Sequence, residues 1–207
     1  MTGNDMLATL GLRTNDPDSA KFTSAARIDA LNIAQRTVVN LVNTAYLTDL
    51  QAIDGGKVMS GNVVAFSDLD NAPIRNGIIA IYDATNSKWC IMIDPADQKR
   101  LENTYLAGSI TNPIAFVFRE EIHTQGPGAT DTLNVWYLKE PTALAADAVE
   151  CELNIALQEP VIDFAESQLW KMAGRLDQAT AASGNATAQI QALNARYENE
   201  KPVGIGV

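Results

Sequence analysis

Histidine is almost missing from this chain: His123 is the only one in 207 residues. That excludes a two-histidine metal site or an HExxH helix within one chain, and a Ser-His-Asp triad would have to use this single side chain. Cysteine is nearly as scarce. Cys90 and Cys151 stand far apart with no CxxC spacing, so both read as reduced, mostly buried thiols. Basic residues are outnumbered, 15 Lys and Arg against 25 Asp and Glu, for a net charge of -10. A surface built to grip phosphates needs the opposite balance, so nucleic acid is expected to slide past without sticking. Long apolar runs are absent as well: nothing approaches the roughly 20 residues of a membrane span. The opening MTGNDMLATLGL lacks a basic n-region, and synthesis in a cytoplasm-like compartment with no membrane partner is the expectation.

What remains suits a folded protein, with 46% hydrophobic and 19% charged residues. One compact unit with an appendage is expected at this length. After a Gly-, Asn- and Asp-rich opening, SAARIDALNIAQRTVVNLVNTAYLTDLQ has helical period. Ile28, Leu31, Ala34, Val38, Leu41, Val42 and Ala45 fall on one face; Asp29, Asn32, Arg36, Asn40 and Asn43 fall on the other. Thr23 or Ser24 supplies the N-cap, and Asp54-Gly55-Gly56 closes the connection that follows.

From Lys57 to about Lys139 the chain turns to β-branched and aromatic runs: KVMSGNVVAF, GIIAIYD, KWCIMID, IAFVFRE and TLNVWYLK. Thr85-Asn86-Ser87 reads as a hairpin turn and GPGATD as a loop, while Asp94, Pro95, Asp97 and Gly108 frame one short helix among the strands. A second helical pattern runs through LQEPVIDFAESQLWKMAGRLD. Leu157, Val161, Phe164, Ala165, Leu169, Met172, Ala173 and Leu176 share its face, and Pro160 is placed in its first turn, where a missing N–H is harmless. A last helix is expected from about Asn185 to Tyr197, carrying Ile190 and Leu193, with Pro202 ending helical potential.

The expected fold class is therefore α+β: a helical bundle of long helices with an inserted small antiparallel β-domain. The expected divisions are 1–56 for the N-terminal segment and long helix, 57–140 for the β-rich insert, 141–199 for the C-terminal helices and 200–207 for a docking arm.

Candidate chemistry is thin. Glu120 and Glu121 flank the region of His123 and could be metal ligands, but a lone histidine at a strand end before a Gly-Pro-Gly loop reads as a surface residue. Asp68 and Asp70 in FSDLDNAP could pair for acid-base or magnesium work, yet alanine and isoleucine occupy the next ligand positions of an EF-hand, and turn formation explains them more simply. Gly55-Gly56-Lys57 lacks the rest of a phosphate loop. Asn185-Ala186-Thr187 matches a glycosylation sequon without any sign of secretion. No catalytic residue, metal or cofactor is expected. Two features look out of place for a solitary fold. Trp170 lies off the stripe of Phe164 and Leu169, where it would cover the β-domain or meet another subunit. The tail after Pro202, with Val203, Ile205 and Val207, is either frayed or inserted into a neighbour as an extended strand, and its three aliphatics favour docking.

Two portions resemble the head-to-tail connector, or portal adaptor, proteins of tailed bacteriophages. RIDALNIAQRTVVNLVNTAYLTDLQ looks like their opening helix, with its early arginine, Leu-Asn-x-Ala step and closing Tyr-Leu pair. The other portion runs from Tyr137-Leu138-Lys139 and Pro141 through an acidic loop to a helix with Phe164-Ala165 and Leu169-Trp170. The resemblance implies a non-enzymatic homo-oligomeric ring, dodecameric, in the virion neck beneath the portal protein. Assembled after DNA packaging, it would lengthen the DNA channel, help retain the packaged genome and offer a surface to tail or stopper proteins, with packaged DNA crossing the lumen without sequence-specific contact. The C-terminal arm would reach the portal, although only Lys201 gives it positive charge. The alternatives are another phage part, such as a tail-completion or minor head protein, and a hydrolase built on Asp68, Asp70, Glu120, Glu121 and His123.

Overall fold

A computed structural model describes all residues except 98–102, 104–105, 147–149 and 201–207. The chain divides into two compact units, one made of Met1–Leu50 with Pro141–Val207 and the other of Gln51–Glu140. The first is helical and is assembled from both ends of the sequence.

Its opening helix, α1 (Gly3–Arg13), was not expected from the glycine- and asparagine-rich start. It forms because Thr2 and Asp5 make a reciprocal capping box, which satisfies two orphan amides, and because Met6 and Leu10, one turn apart, are fully buried. The second helix, α2 (Ser24–Leu41), starts at the Thr23 cap as its sequence implies. Its buried stripe is turned from the expected one: Arg27 and Gln35 lie inside with Ala30, Leu31, Ala34, Val38 and Val39, while Leu41 is exposed. Polar side chains with buried partners can face the core, and an apolar-period reading leaves them out.

Helix α3 (Ile155–Met172) begins earlier than Pro160 because Asn154 caps it, accepting a bond from the Ala156 amide at 3.0 Å. Pro160 therefore sits inside the helix, where the Ala156 carbonyl loses its usual donor four residues on. Buried residues surround α3 on every side, from Leu157 and Val161 to Asp163, Ser167 and Trp170, because α1, α2 and α4 (Leu176–Glu200) all pack on it. The turn into α4 is closed by Gly174 at φ 69, with its amide on the Lys171 carbonyl and that of Arg175 on Trp170. Met172 and Leu176, expected on the buried face, are 68% and 66% exposed at this turn. The last helix starts well before Asn185, since Ala179, Ala182, Ala186 and Ile190 form a buried small-residue row and the Ser167 hydroxyl bonds the Ala179 carbonyl at 2.8 Å. Alanines at i, i+3 and i+7 carry little apolar signal, yet they let two helices approach closely.

The second unit is larger in sheet than the sequence implied. Its strands are β1 (Gln51–Val58), β2 (Val63–Ala65), β3 (Pro73–Asp83), β4 (Lys88–Trp89), β5 (Ile91–Met92), β6 (Ile114–Phe118), β7 (Glu121–Gln125) and β8 (Thr132–Lys139). They form two four-stranded sheets ordered β1-β8-β3-β4 and β2-β7-β6-β5. One core serves both, built from Ile81, Leu133, Val135 and Tyr137 of the first sheet with Val64, Ala115 and Ile122 of the second.

A bundle of long helices bearing a small antiparallel insert is thus not what this chain forms. Its α-helices range from 11 to 25 residues, and the β unit carries two sheets, one of which contains the parallel pair β5–β6. Three local causes account for the difference. Gly55-Gly56 does not end a connection: β1 passes through it as a bulge, Gly56 at φ 72 donating to the Asn134 side chain at 3.0 Å. The run KWCIMID splits at Cys90, whose amide bonds Ile81 in one sheet while Ile91 bonds Pro113 in the other. And β7 follows β6 through a two-residue turn in which Arg119 and Glu120 both hold positive φ, 52 and 62, without glycine. The Thr85-Asn86-Ser87 turn does join β3 and β4, with the Asn86 amide on Asp83 at 3.0 Å. Asp94 bonds the Ala96 amide at 2.8 Å as a cap would, and most of the expected short helix beyond it lies outside the described residues.

Candidate functional site

The residues weighed for catalysis are engaged in holding the β unit together. Asp68 accepts from the Ala65 amide at 3.3 Å. Asp70 pairs with Lys57 at 2.6 Å, and its own amide bonds the buried Asp54. Asp54 also faces Lys57 at 3.6 Å, so the FSDLD segment is clamped by one lysine between two carboxylates. Glu120 occupies the β6–β7 turn. His123, expected at a strand end, lies in the middle of β7 with its ring stacked on Phe116 at 5.1 Å and 8°. The Glu121 carboxylate comes within 3.1 Å of its Nε2, but not along a hydrogen-bond direction, and that nitrogen has no hydrogen-bond partner. Among the described residues no three His, Cys, Asp or Glu side chains gather as a metal site.

The thiols behave as the sequence implied. Both cysteines are buried and unpaired. Burial, with the charge of Asp83 added, pushes the Cys90 thiol up to about 11, and burial raises Cys151 as well. Neither carries thiolate at neutral pH.

In the helical unit, Arg13, Glu159, Asp163, Glu166, Asn185 and Gln189 line an open depression of about 540 Å³. Arg13 projects from the end of α1 to bond both Glu159 and Asp163, while Gln189 from α4 donates to Asp163 at 2.7 Å. Burial raises the Asp163 carboxyl above its ordinary value; Arg13 opposes the shift and Glu159 and Glu166 add to it. Burial acts to lower Arg13, but its two carboxylate partners prevail and raise it. Arg13 joins α1 to α3, and the Asp163 carboxylate joins α3 to α4 through Gln189. In an Arg13→Met variant, Asp163 keeps its Gln189 bond but faces Glu159 and Glu166 without a cation, so its pKa climbs further. A group whose folded pKa is raised loses stability as pH rises through that value. Denaturant titrations should therefore show the variant gaining more stability than the parent on acidification below neutral pH, since Asp163 is raised in both and further in the variant; equal gains in both would contradict the role given to Arg13.

Trp170 is 8% exposed, and its cover comes from its own unit. Phe22 meets it edge-on at 6.2 Å, Lys21 Nζ lies 4.7 Å over its ring, and its Nε1 donates to Glu166 at 3.0 Å. No second chain is needed to bury it. The segment 14–23 that carries Phe22 is held by buried Asp16, whose carboxylate accepts from the amides of Lys21 and Phe22 and from Arg27. Nothing in the local pattern signals that pairing, since the loop reads only as polar turn residues. Pro202, Val203, Ile205 and Val207 of the expected arm lie outside the described residues.

The most unusual surface is the outer face of the sheet β1-β8-β3-β4. Ile53, Trp136 and Ala80 stand opposite one another across three strands, and Asn134, Tyr82 and Trp89 form the next row. Trp89 lies 4.9 Å from Trp136 and 5.1 Å from Tyr82, ring centre to ring centre. It is 58% exposed and Ile53 61%. None of these side chains is charged at neutral pH, although the chain as a whole carries -10. The sequence contained the signal in the alternation of TLNVWYLK, where Trp136 falls between the buried Val135 and Tyr137.

No helix among the described residues is long and apolar enough to cross a membrane. No protein-family model and no curated protein matches this chain.

Proposed function

We propose that this chain is a structural, non-enzymatic component of a tailed-phage particle, a connector that assembles as a homo-oligomeric ring between portal and tail in the virion neck. The observation that carries the reading is the nesting of the two units: a helical unit built from both chain ends, interrupted by a β unit with its own core. It supports the reading because the interruption begins where the first connector-like segment ends and closes within the second, which opens on β8. The net charge of -10 adds support, since it would let DNA pass a lumen without adhering.

The test is co-sedimentation of purified chain with the portal protein. A complex of portal stoichiometry is expected, and a chain lacking residues 198–207 should bind the portal more weakly. An unchanged complex after that deletion removes the role of the arm, and no complex at all defeats the connector reading. Electron microscopy of the virion, asking which ring holds this chain, separates a connector from a tail-completion or minor head protein.

A further inference from the structure

We propose that residues 17–22 form a strap that opens by itself, without unfolding of the helical unit, and that its opening uncovers Trp170. Both ends of the strap are fixed. Asp16 is bound to α1 through its amide on the Gly11 carbonyl at 2.8 Å and to α2 through Arg27, while Thr23 caps α2 by accepting from the Ala26 amide at 3.2 Å. Between those posts the hydrogen bonds of the strap, among the described residues, all end on Asp16. Ser19 donates to its carbonyl at 3.2 Å, and Lys21 and Phe22 donate to its carboxylate at 3.0 and 2.7 Å. Phe22 alone of the six residues is buried, and its ring is the one that meets Trp170 edge-on. Lys21 Nζ reaches over both rings, 5.4 Å from Phe22 and 4.7 Å from Trp170, but the residue is exposed, so this attraction is weak.

The strap is held less firmly than the helices around it. Amides released from Asp16 pass directly to water, which offers them bonds of similar worth. Asp16 does not have to leave Arg27, so the buried ion pair stays intact and no charge is left enclosed alone. Ser19 holds φ 56, a left-handed backbone that a residue with a Cβ adopts at a cost, and release of the strap removes that cost. Against these stands the burial of one phenyl ring, whereas α3 is held by buried side chains along its whole length. Segments with few buried contacts and exposed backbone are the ones that open locally. Opening lays bare the indole of Trp170 together with Glu166, whose carboxylate accepts from its Nε1 at 3.0 Å. The strap thus governs access to this aromatic and acidic spot on α3, which its own Lys21 and Phe22 occupy when it is closed.

Native-state hydrogen exchange of the full chain tests the strap. The amides of Lys21 and Phe22 should be at least about tenfold less protected than those of Val161 and Leu169 in α3. Their rates should stay level as urea is added below the unfolding transition, because a local opening exposes little surface. Trypsin gives a second readout. The Lys21–Phe22 bond should be cut in the folded chain at a rate that low urea leaves unchanged, since cleavage tracks the population of the open form. Phe22→Ala removes the ring that closes the strap and should speed the cut by about tenfold or more. Lys21 and Phe22 amides that exchange only together with those of α3, rising with urea as they do, overturn the proposal. So does a cut whose rate follows global unfolding, and so does a Phe22→Ala chain cut no faster than the parent. The strap lies within the helical unit of one chain, so failure of the portal experiment leaves this result untouched, and the reverse holds as well.

Discussion

Arg27→Met should destabilise the helical unit by about 3–5 kcal/mol, the usual cost of removing one partner from a buried ion pair. Arg27 is 3% exposed and reaches from α2 to the carboxylate of Asp16 at 2.8 Å and to its backbone carbonyl. Packing leaves it no alternative: a Cβ on Gly11 would lie 2.7 Å from Arg27 Nη1, so α1 closes directly over the guanidinium. Without it, Asp16 stays enclosed with only the amides of Lys21 and Phe22, and the segment that covers Trp170 loses its anchor. Two readouts follow. Thermal unfolding should show the helical transition falling while the β unit, with its separate core, holds its own. Tryptophan emission should shift to the red as Phe22 leaves Trp170.

The same pair shapes the acid limb. Burial acts to raise the Asp16 carboxyl, but the amides of Phe22 and Lys21 together with Arg27 outweigh it and hold it at about 2, against 3.8 ordinarily. A depressed carboxyl contributes stability that is fully present above 3.8 and is lost as pH falls through about 2. Removing Arg27 shrinks the depression, so the variant's remaining contribution should fade at a higher pH than the parent's. If Arg27→Met matches the parent in both midpoint and acid profile, the pair is not the anchor described.

Gly126→Ala should destabilise the β unit by about 3 kcal/mol, combining a steric clash with an unfavourable backbone. Gly126 holds φ 109 just past β7, and a Cβ there would stand 2.6 Å from the Ser109 carbonyl carbon and 2.8 Å from its nitrogen. These are backbone atoms that cannot rotate aside. Gly108 meets Gln125 in the same way and donates its amide to the Gln125 side chain at 3.0 Å. The two glycines are where the segment before β6 is pressed against the end of β7. Gly61→Ala is the internal control: it has φ 64 and nothing within 4 Å, so only the backbone cost of about 1 kcal/mol applies. Equal losses at Gly126 and Gly61 in urea titrations would mean that the close approach contributes nothing.

Much of the helical unit was legible where apolar side chains repeat. The Thr23 cap of α2 and the Leu157–Leu169 stripe of α3 follow from period and capping chemistry, which are local. The start of α3 was misplaced because Pro160 is a strong local signal and Asn154 a weak one, and the surrounding helices stabilise the extra turn. Helix α1 and the early part of α4 were missed for a related reason: Met6 and Leu10 of the one, and Ala179, Ala182 and Ala186 of the other, are buried only by packing against the other helices. In the β unit the runs were visible, but their partners were not. β7 alternates Glu121, His123 and Gln125 with Ile122 and Thr124, so its apolar content is low, and it is a strand because β2 and β6 flank it.

By itself, then, the sequence determined the net negative charge, and that one copy can form neither a two-histidine metal site nor a CxxC motif. It also determined the local starts and stops whose partners lie within a few residues. Tertiary structure alone decided that Cys90 would pass the chain between two sheets, that Asp16 would find Arg27 eleven residues away, and that Tyr82, Trp89 and Trp136 would gather on one uncharged face. Those outcomes depend on strand register and helix packing between distant segments, and the side chains that register aligns carry no mark of it in their own neighbourhoods.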